Sequence, residues 1–305
     1  MMKKIQYILL FIWASNLLYS QEIPYPIKYS WKKENVKGKV QSFTEVVNLA
    51  KVKKNGQIVQ YSSKTSWAGI DKLIFNKKGN LIKKEIYHYT TKKLYEEKTY
   101  QYDKKANLIE FKECYTDNVG TKCHLNKYLY QKQKNKLVVR HYAIRAFFPE
   151  ANDGAYVYKK WVYTFNSEGN LVKSEKYQGE NKLKEEIFYT YNKNGYLIEK
   201  HSIYHGYKKE DSKIYYQYNE KGRKIEEKYW CDENSSLKGT EKTITYSYDK
   251  NDNIVAEKYG TYQENRIYTI HTYTYKYDKK GNWIQCIEYE NNEPLKVFTR
   301  TYTYF

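Results

Sequence analysis

The feature that most limits what this chain can fold into is a short unit copied along it: an aromatic residue, Asn or Asp, two mostly polar residues, Gly, Asn and an apolar pair. The unit reads Phe75-Asn-Lys-Lys-Gly-Asn-Leu-Ile82, Tyr102-Asp-Lys-Lys-Ala-Asn-Leu-Ile109, Phe165-Asn-Ser-Glu-Gly-Asn-Leu-Val172 and Tyr191-Asn-Lys-Asn-Gly-Tyr-Leu-Ile198. It continues as Tyr218-Asn-Glu-Lys-Gly-Arg-Lys-Ile225, Tyr248-Asp-Lys-Asn-Asp-Asn-Ile-Val255 and Tyr277-Asp-Lys-Lys-Gly-Asn-Trp-Ile284. Where units abut, the anchoring aromatics stand 26 to 30 residues apart, a fixed period that marks a repeat architecture. Degenerate copies occur at Val52-Lys-Lys-Asn-Gly-Gln-Ile-Val59 and Tyr130-Gln-Lys-Gln-Lys-Asn-Lys-Leu137, and Tyr304 falls where another unit would start.

Each position of the unit has a mechanical reason. An Asn or Asp side chain accepts a hydrogen bond from the backbone two residues on and so favours a type I turn, and Gly then supplies the left-handed conformation. A type I turn followed by a positive-φ bulge is a common short link between antiparallel strands. The expected turn residues are Asn76 and Gly79, Asp103, Asn166 and Gly169, Asn192 and Gly195, Asn219 and Gly222, Asp249, and Asp278 and Gly281. In two copies Ala106 and Asp252 replace the Gly. Asp tolerates the left-handed region and Ala does so poorly, so the Ala106 turn should be the least stable.

The strand entering each turn alternates. Ile244, Tyr246 and Tyr248 share one face and Thr243, Thr245 and Ser247 the other, and Trp161, Tyr163 and Phe165 repeat the pattern, as do Tyr273, Tyr275 and Tyr277. Much of the content of 38 tyrosines thus falls on one face as an aromatic ladder, whose ring pairs add about 0.5 to 1 kcal/mol each beyond burial. Residues 44–51 carry an apolar pattern that fits a helix or a strand equally well. Residues 140–158 break the repeat and read as a longer loop. The expected fold is all-β: an antiparallel β-hairpin repeat array forming one long twisted or curved sheet.

The Tyr-Asp-x-x-Gly-Asn core, clearest from Tyr277 to Asn282, resembles the YD repeat of RHS and teneurin-type proteins, and the resemblance covers the chain from about Phe75 onward. It implies hairpins stacked in series. The Gly-Arg pair typical of such repeats survives at Gly222-Arg223 while other copies carry Gly-Asn, and the chain has no Asp-Pro dipeptide. The resemblance is to a small stand-alone member, not to a shell built around a toxin.

Lys3 and Lys4, an apolar stretch over residues 7–14 and the polar Ser20 and Gln21 have the layout of a secretory leader, so the expectation is an exported chain: periplasmic, cell-surface or secreted. The organisation expected is a leader over 1–20, a segment with a degenerate hairpin over 21–71, and the repeat domain over 72–305. No stretch is apolar enough to form a membrane-spanning helix. Without Lys3 and Lys4, 52 basic residues face 35 acidic ones, a formal charge of +17. Such a surplus favours anionic partners, and Lys also guards exposed strands against edge pairing. The lysines are spread along the sequence with glutamates between them and form no compact basic cluster, so nucleic acid is not an expected partner.

Of the four cysteines, Cys114 and Cys123 bracket a turn-rich stretch within reach of a local bridge in an oxidising compartment. No phosphate loop, nucleophile elbow or Cys-x-x-Cys pair occurs. His201 and His205 have a helical ligand spacing in a strand region, and Asp249 to Asn253 is a repeat turn without the Gly and Glu of a calcium loop. The expectation is a non-catalytic protein with no cofactor or metal, binding a glycan or protein at the cell envelope. Trp161, Trp230 and Trp283 are the candidate ligand-binding residues, because rings lie well against apolar sugar faces. The alternative is a protein-interaction role, such as an immunity-like partner of a secreted toxin.

Overall fold

The computed structural model describes residues 30–61, 69–117, 120–145, 156–206, 209–231, 242–261 and 266–305. The leader expected over 1–20 lies outside them, as does most of the stretch read as an irregular loop. Nineteen strands form one antiparallel sheet. In chain order they are β1 (Val40–Val52), β2 (Ile58–Tyr61), β3 (Gly69–Phe75), β4 (Leu81–His88), β5 (Leu94–Tyr102), β6 (Leu108–Asp117), β7 (Gly120–Gln133), β8 (Lys136–Arg145) and β9 (Tyr156–Phe165). They continue as β10 (Leu171–Gln178), β11 (Lys182–Tyr191), β12 (Leu197–His205), β13 (Lys209–Tyr218), β14 (Lys224–Cys231), β15 (Lys242–Tyr248), β16 (Ile254–Thr261), β17 (Arg266–Tyr277), β18 (Trp283–Glu290) and β19 (Glu293–Tyr304). Residues 44–51 are strand, within β1, and of the stretch 140–158 read as a loop the described residues are strand, because β8 runs to Arg145 and β9 starts at Tyr156.

From β3 to β19 every strand pairs with its sequence neighbour. The expected open sheet is corrected at its ends. β1 pairs along one edge with β19, from Val40↔Tyr304 to Leu49↔Lys296, and along the other with β3, from Ser42↔Ile74 to Val47↔Gly69, while β2 covers its last four residues. Eighteen strands therefore close into a barrel, with β2 as a short addition in line with β3. The physical reason is that two unpaired edge strands would leave their N–H and C=O groups exposed for chance pairing, which closure abolishes.

The turns follow one pattern. In the first clear unit the Asn76 N–H donates to the Asn80 carbonyl (2.9 Å) and the Gly79 N–H to the Asn76 carbonyl (2.8 Å), while Asn76 Oδ1 accepts from the N–H groups of Lys78 and Asn80. The same four bonds recur at Asp103, Asn166, Asn192, Asn219, Asp249 and Asp278. Gly281 has φ +80°, and Ala106 (+59°) and Asp252 (+67°) take the same left-handed conformation without glycine's freedom. A register shift accompanies each of these turns, as between Gln101 and Tyr102. The degenerate copy at Tyr130 closes differently, with Gln133 opposite Lys136 across a two-residue turn.

Residues 30–39 cross the turn end of the barrel and show which sheet face is concave. Ser30 bridges to Asn80 in the β3–β4 turn, and Asn35 Nδ2 donates to Asn253 Oδ1 (2.8 Å) in the β15–β16 turn. Those turns are about six strand steps apart, an arc of roughly 29 Å at ~4.8 Å per step, whereas five residues extend to at most ~18 Å. The segment is a chord, and a chord lies on the concave side. Its Val36 joins Val40, Phe43, Leu73 and Phe75 in the main core cluster, so the aromatic ladder faces the lumen.

The opposite face looks to solvent and is strongly charged. Lys72, Lys83, Glu85 and Glu97 make a chain of ion pairs at 2.8 to 3.5 Å, and Lys173 bridges Glu175 (3.1 Å) and Glu186 (2.7 Å). A barrel that crosses a bilayer needs an outward apolar band, and a Lys or Arg at its midplane costs about 2–4 kcal/mol. The outer face of this barrel carries ion pairs such as those of Lys72 and Lys173 between aliphatic side chains and rings including Phe188, Tyr215 and Trp230.

Candidate binding site in the barrel lumen

The ladder tyrosines do more than stack. Tyr102 Oη donates to the Leu81 carbonyl (2.7 Å), Tyr130 to Leu108 (2.8 Å), Tyr191 to Leu171 (2.8 Å), Tyr218 to Leu197 (2.8 Å) and Tyr248 to Lys224 (2.6 Å). Each anchoring phenol thus satisfies the carbonyl freed by the bulge of the preceding hairpin, which locks consecutive units at a constant register. In the last two units the tyrosine two residues earlier takes over: Tyr275 donates to Ile254 (2.8 Å) and Tyr302 to Trp283 (3.1 Å). Burial pushes the Tyr218 and Tyr248 hydroxyls up to about 12, so they remain protonated donors.

Further from the turns the lumen wall is polar. On β14, β16 and β18 the carboxylates of Glu227, Glu257 and Glu288 point inward. Tyr229 and Lys224 contact Glu227, Tyr259 and Tyr273 donate to Glu257 at 3.0 Å each, and His271 (3.1 Å) and Lys296 (3.2 Å) hold Glu288. Burial by itself would raise Glu288, but His271 and Lys296 overcome it and keep the carboxyl below its ordinary range. The hydrogen bond to Glu288 in turn lifts His271 above its usual value against the effect of burial. Lys224 stands where other units carry Leu, Ile or Trp, its ammonium 5.0 Å from the centre of the Tyr246 ring.

Arg300, on β19 beside the closing seam, is a second deeply enclosed charge. Its guanidinium reaches Glu45 of β1 (2.8 Å) and Glu34 of the crossing segment (3.3 Å), and lies 4.3 Å from the Phe43 ring centre and 3.9 Å from that of Trp283. It ties the last strand to the first and to the segment over the mouth. These residues escaped sequence reading, although Arg300, Tyr302 and Tyr304 share the ladder's parity, and that parity was the available signal.

A lumen-facing cavity of about 250 Å³ opens between β9, β10 and β11, lined by Lys159, Trp161, Tyr163, Ser174, Lys176, Glu185 and Ile187. Trp161 is 7% exposed and forms an apolar wall beside two ammonium groups, one carboxylate and a hydroxyl. Of the three tryptophans singled out by sequence, only Trp161 is placed this way. Trp283 is 5% exposed beneath Arg300, and Trp230 is on the outer face, 38% exposed. His201 and His205 also point outward, toward Asp211 (3.5 Å) and Glu186 (2.8 Å), and among the described residues no three potential ligands gather around a metal position. Cys114 and Cys123 stand directly opposite each other on β6 and β7 and are joined by a disulfide; Cys286 is a buried thiol that burial pushes up to about 12.

The fold and lumen define a class: a closed antiparallel barrel of repeated hairpins with an aromatic, charge-networked interior and ion pairs on its outer face. No protein-family model matches the chain, and no curated protein does. Among solved structures, a porin-like protein from Bacteroides uniformis ATCC 8492 is similar over 87% of this chain and 96% of its own, at 11% identity and a TM-score of 0.42. The TcdB2-TccC3-Cdc42 structure is similar over 79% of this chain but 14% of its own, at 11% identity and a TM-score of 0.34. The Photorhabdus luminescens Tc holotoxin pore gives 83%, 13%, 17% identity and 0.33. At these values no ligand or role carries over.

Proposed function

We propose that the protein is an exported, non-catalytic binding module of the cell envelope or its surroundings, a barrel of YD-like hairpins that takes a glycan into its lumen. The cavity at Trp161 carries this reading. An indole face beside Lys159, Lys176, Ser174 and Glu185 offers an apolar platform for a sugar ring and polar groups for its substituents, the combination that orients small ligands in concave sites. Elsewhere in the lumen Glu227, Glu257 and Glu288 are each held by neighbouring tyrosine, lysine or histidine side chains, which favours a fixed wall over a reacting centre.

Binding of soluble envelope glycans to the chain from Gln21 onward, followed by calorimetry, tests the reading. Trp161→Ala should weaken binding at least ten-fold while Trp230→Ala leaves it unchanged. Equal affinity for both variants, or no saturable binding at all, rejects the lumen as the site. The alternative, a protein-interaction role, is favoured by the outward rings Phe188, Tyr215 and Trp230, each 37–40% exposed on β11, β13 and β14. It predicts one stoichiometric protein partner that Trp230→Ala releases.

A further inference from the structure

The turns of the repeat carry lysines at their tip positions, and closure of the barrel places all those turns at one end. Lys77, Lys78, Lys104 and Lys105 occupy the first two full turns, Lys132, Lys134 and Lys136 surround the β7–β8 turn, and Lys193, Lys221, Lys250, Lys279 and Lys280 continue the rim. All twelve are exposed. In sequence these lysines are scattered; in the barrel they form one ring, so the absence of a basic cluster inferred from the sequence does not survive folding.

The twelve rim lysines lack salt bridges among the described residues, whereas the outer wall is mixed: Lys112, Lys127, Lys258 and Lys276 are exposed without one, and other wall lysines are paired. On the outer wall, Lys72, Lys83, Lys173 and Lys213 each stand within 4 Å of a carboxylate. The exposed acidic residues at the tips are Glu168 and Glu220, and the carboxylates of Asp103, Asp249 and Asp278 are occupied by the backbone N–H groups of their own turns.

We infer that this lysine rim docks the barrel, turn end first, onto a membrane surface rich in phosphate headgroups. Eighteen strands at ~4.8 Å spacing and a tilt near 40° give a rim about 35 Å across. A duplex nucleic acid laid over such a ring meets it at two crossings, whereas a headgroup layer meets it all round. The seven clear turns are held by four hydrogen bonds each, and tyrosine hydroxyls tie neighbouring hairpins, so the charges on those turns are pre-arranged. The surface is separate from the lumen, and the inference stands whether or not the cavity takes a glycan.

The test is co-sedimentation of the chain from Gln21 onward with vesicles of phosphatidylcholine, either alone or mixed with phosphatidylglycerol, at low and high salt. Binding should require the anionic lipid and fall at least ten-fold as salt rises from about 50 to 300 mM, as the Debye length shortens. A lysine near an anionic bilayer is worth about five-fold in affinity, so the quadruple variant Lys77→Gln, Lys78→Gln, Lys104→Gln, Lys105→Gln should lose at least 50-fold. The wall variant Lys173→Gln, Lys213→Gln should bind as the parent does, and circular dichroism checks that each variant is folded. No binding to anionic vesicles at low salt, equal losses from rim and wall variants, or tighter binding to duplex DNA than to vesicles would overturn the inference.

Discussion

Replacing Ala106 by Gly should stabilise the protein although it removes a methyl group. Ala106 sits at φ +59° in the turn between β5 and β6, the position that is Gly in five of the seven clear units. An L-residue there carries about 1–2 kcal/mol of strain, and Gly gives back about 0.4–1 kcal/mol through its more flexible unfolded state, leaving a net gain of ~0.5–1 kcal/mol. The reverse change at Gly281, where an added Cβ meets nothing within 4 Å, should cost a similar ~1 kcal/mol from backbone strain alone. At Gly79 the added Cβ would stand 2.6 Å from Trp31 Cε3. That ring cannot easily retreat, since Trp31 Nε1 donates to the Val40 carbonyl (2.8 Å) and its N–H to the Gly79 carbonyl (3.0 Å), so overpacking adds a further ~1–3 kcal/mol. Urea unfolding followed by far-UV dichroism, with thermal melts at about 2–4 °C per kcal/mol, reads all three. An Ala106→Gly variant no more stable than the parent, or equal losses at Gly79 and Gly281, would refute the account of these turns.

Arg300→Met should cost about 3 kcal/mol, because it leaves the partly buried Glu34 and Glu45 without their cation; a double-mutant cycle with Glu45→Gln should recover part of the loss, and additive losses would contradict the seam clasp. Cys114→Ala with Cys123→Ala should lower stability by ~2.5 kcal/mol, the loop-closure entropy of a separation of nine residues, measured as a shift in urea midpoint at constant m. His141 is 5% exposed, its Nε2 2.7 Å from Asn126 Oδ1, and burial pushes it down to about 4. The unfolded chain then binds a proton near ~6.5 that the folded one refuses. Stability from this group is complete above that pH and should fall by up to ~3 kcal/mol as pH drops toward 4, and His141→Gln should flatten the acid limb of a denaturation series.

Local structure was legible in the sequence because the forces that set it are local. The Asn76 and Asp103 turns, the strained Ala106, the antiparallel hairpins and the single aromatic face all follow from side-chain hydrogen bonding, positive φ and period-two alternation within one hairpin. What the tertiary structure decided depends on partners far apart. Closure joins Val40 to Tyr304, which are paired by edge satisfaction and by no motif; it turned an expected open sheet into a barrel and chose the lumen for the ladder. It also separated three similar tryptophans into a cavity wall, a buried support for Arg300 and an outward ring, and gathered lysines that lie whole repeats apart into one rim. A repeat fixes what each unit does, whereas a ring exists only when the first strand meets the last.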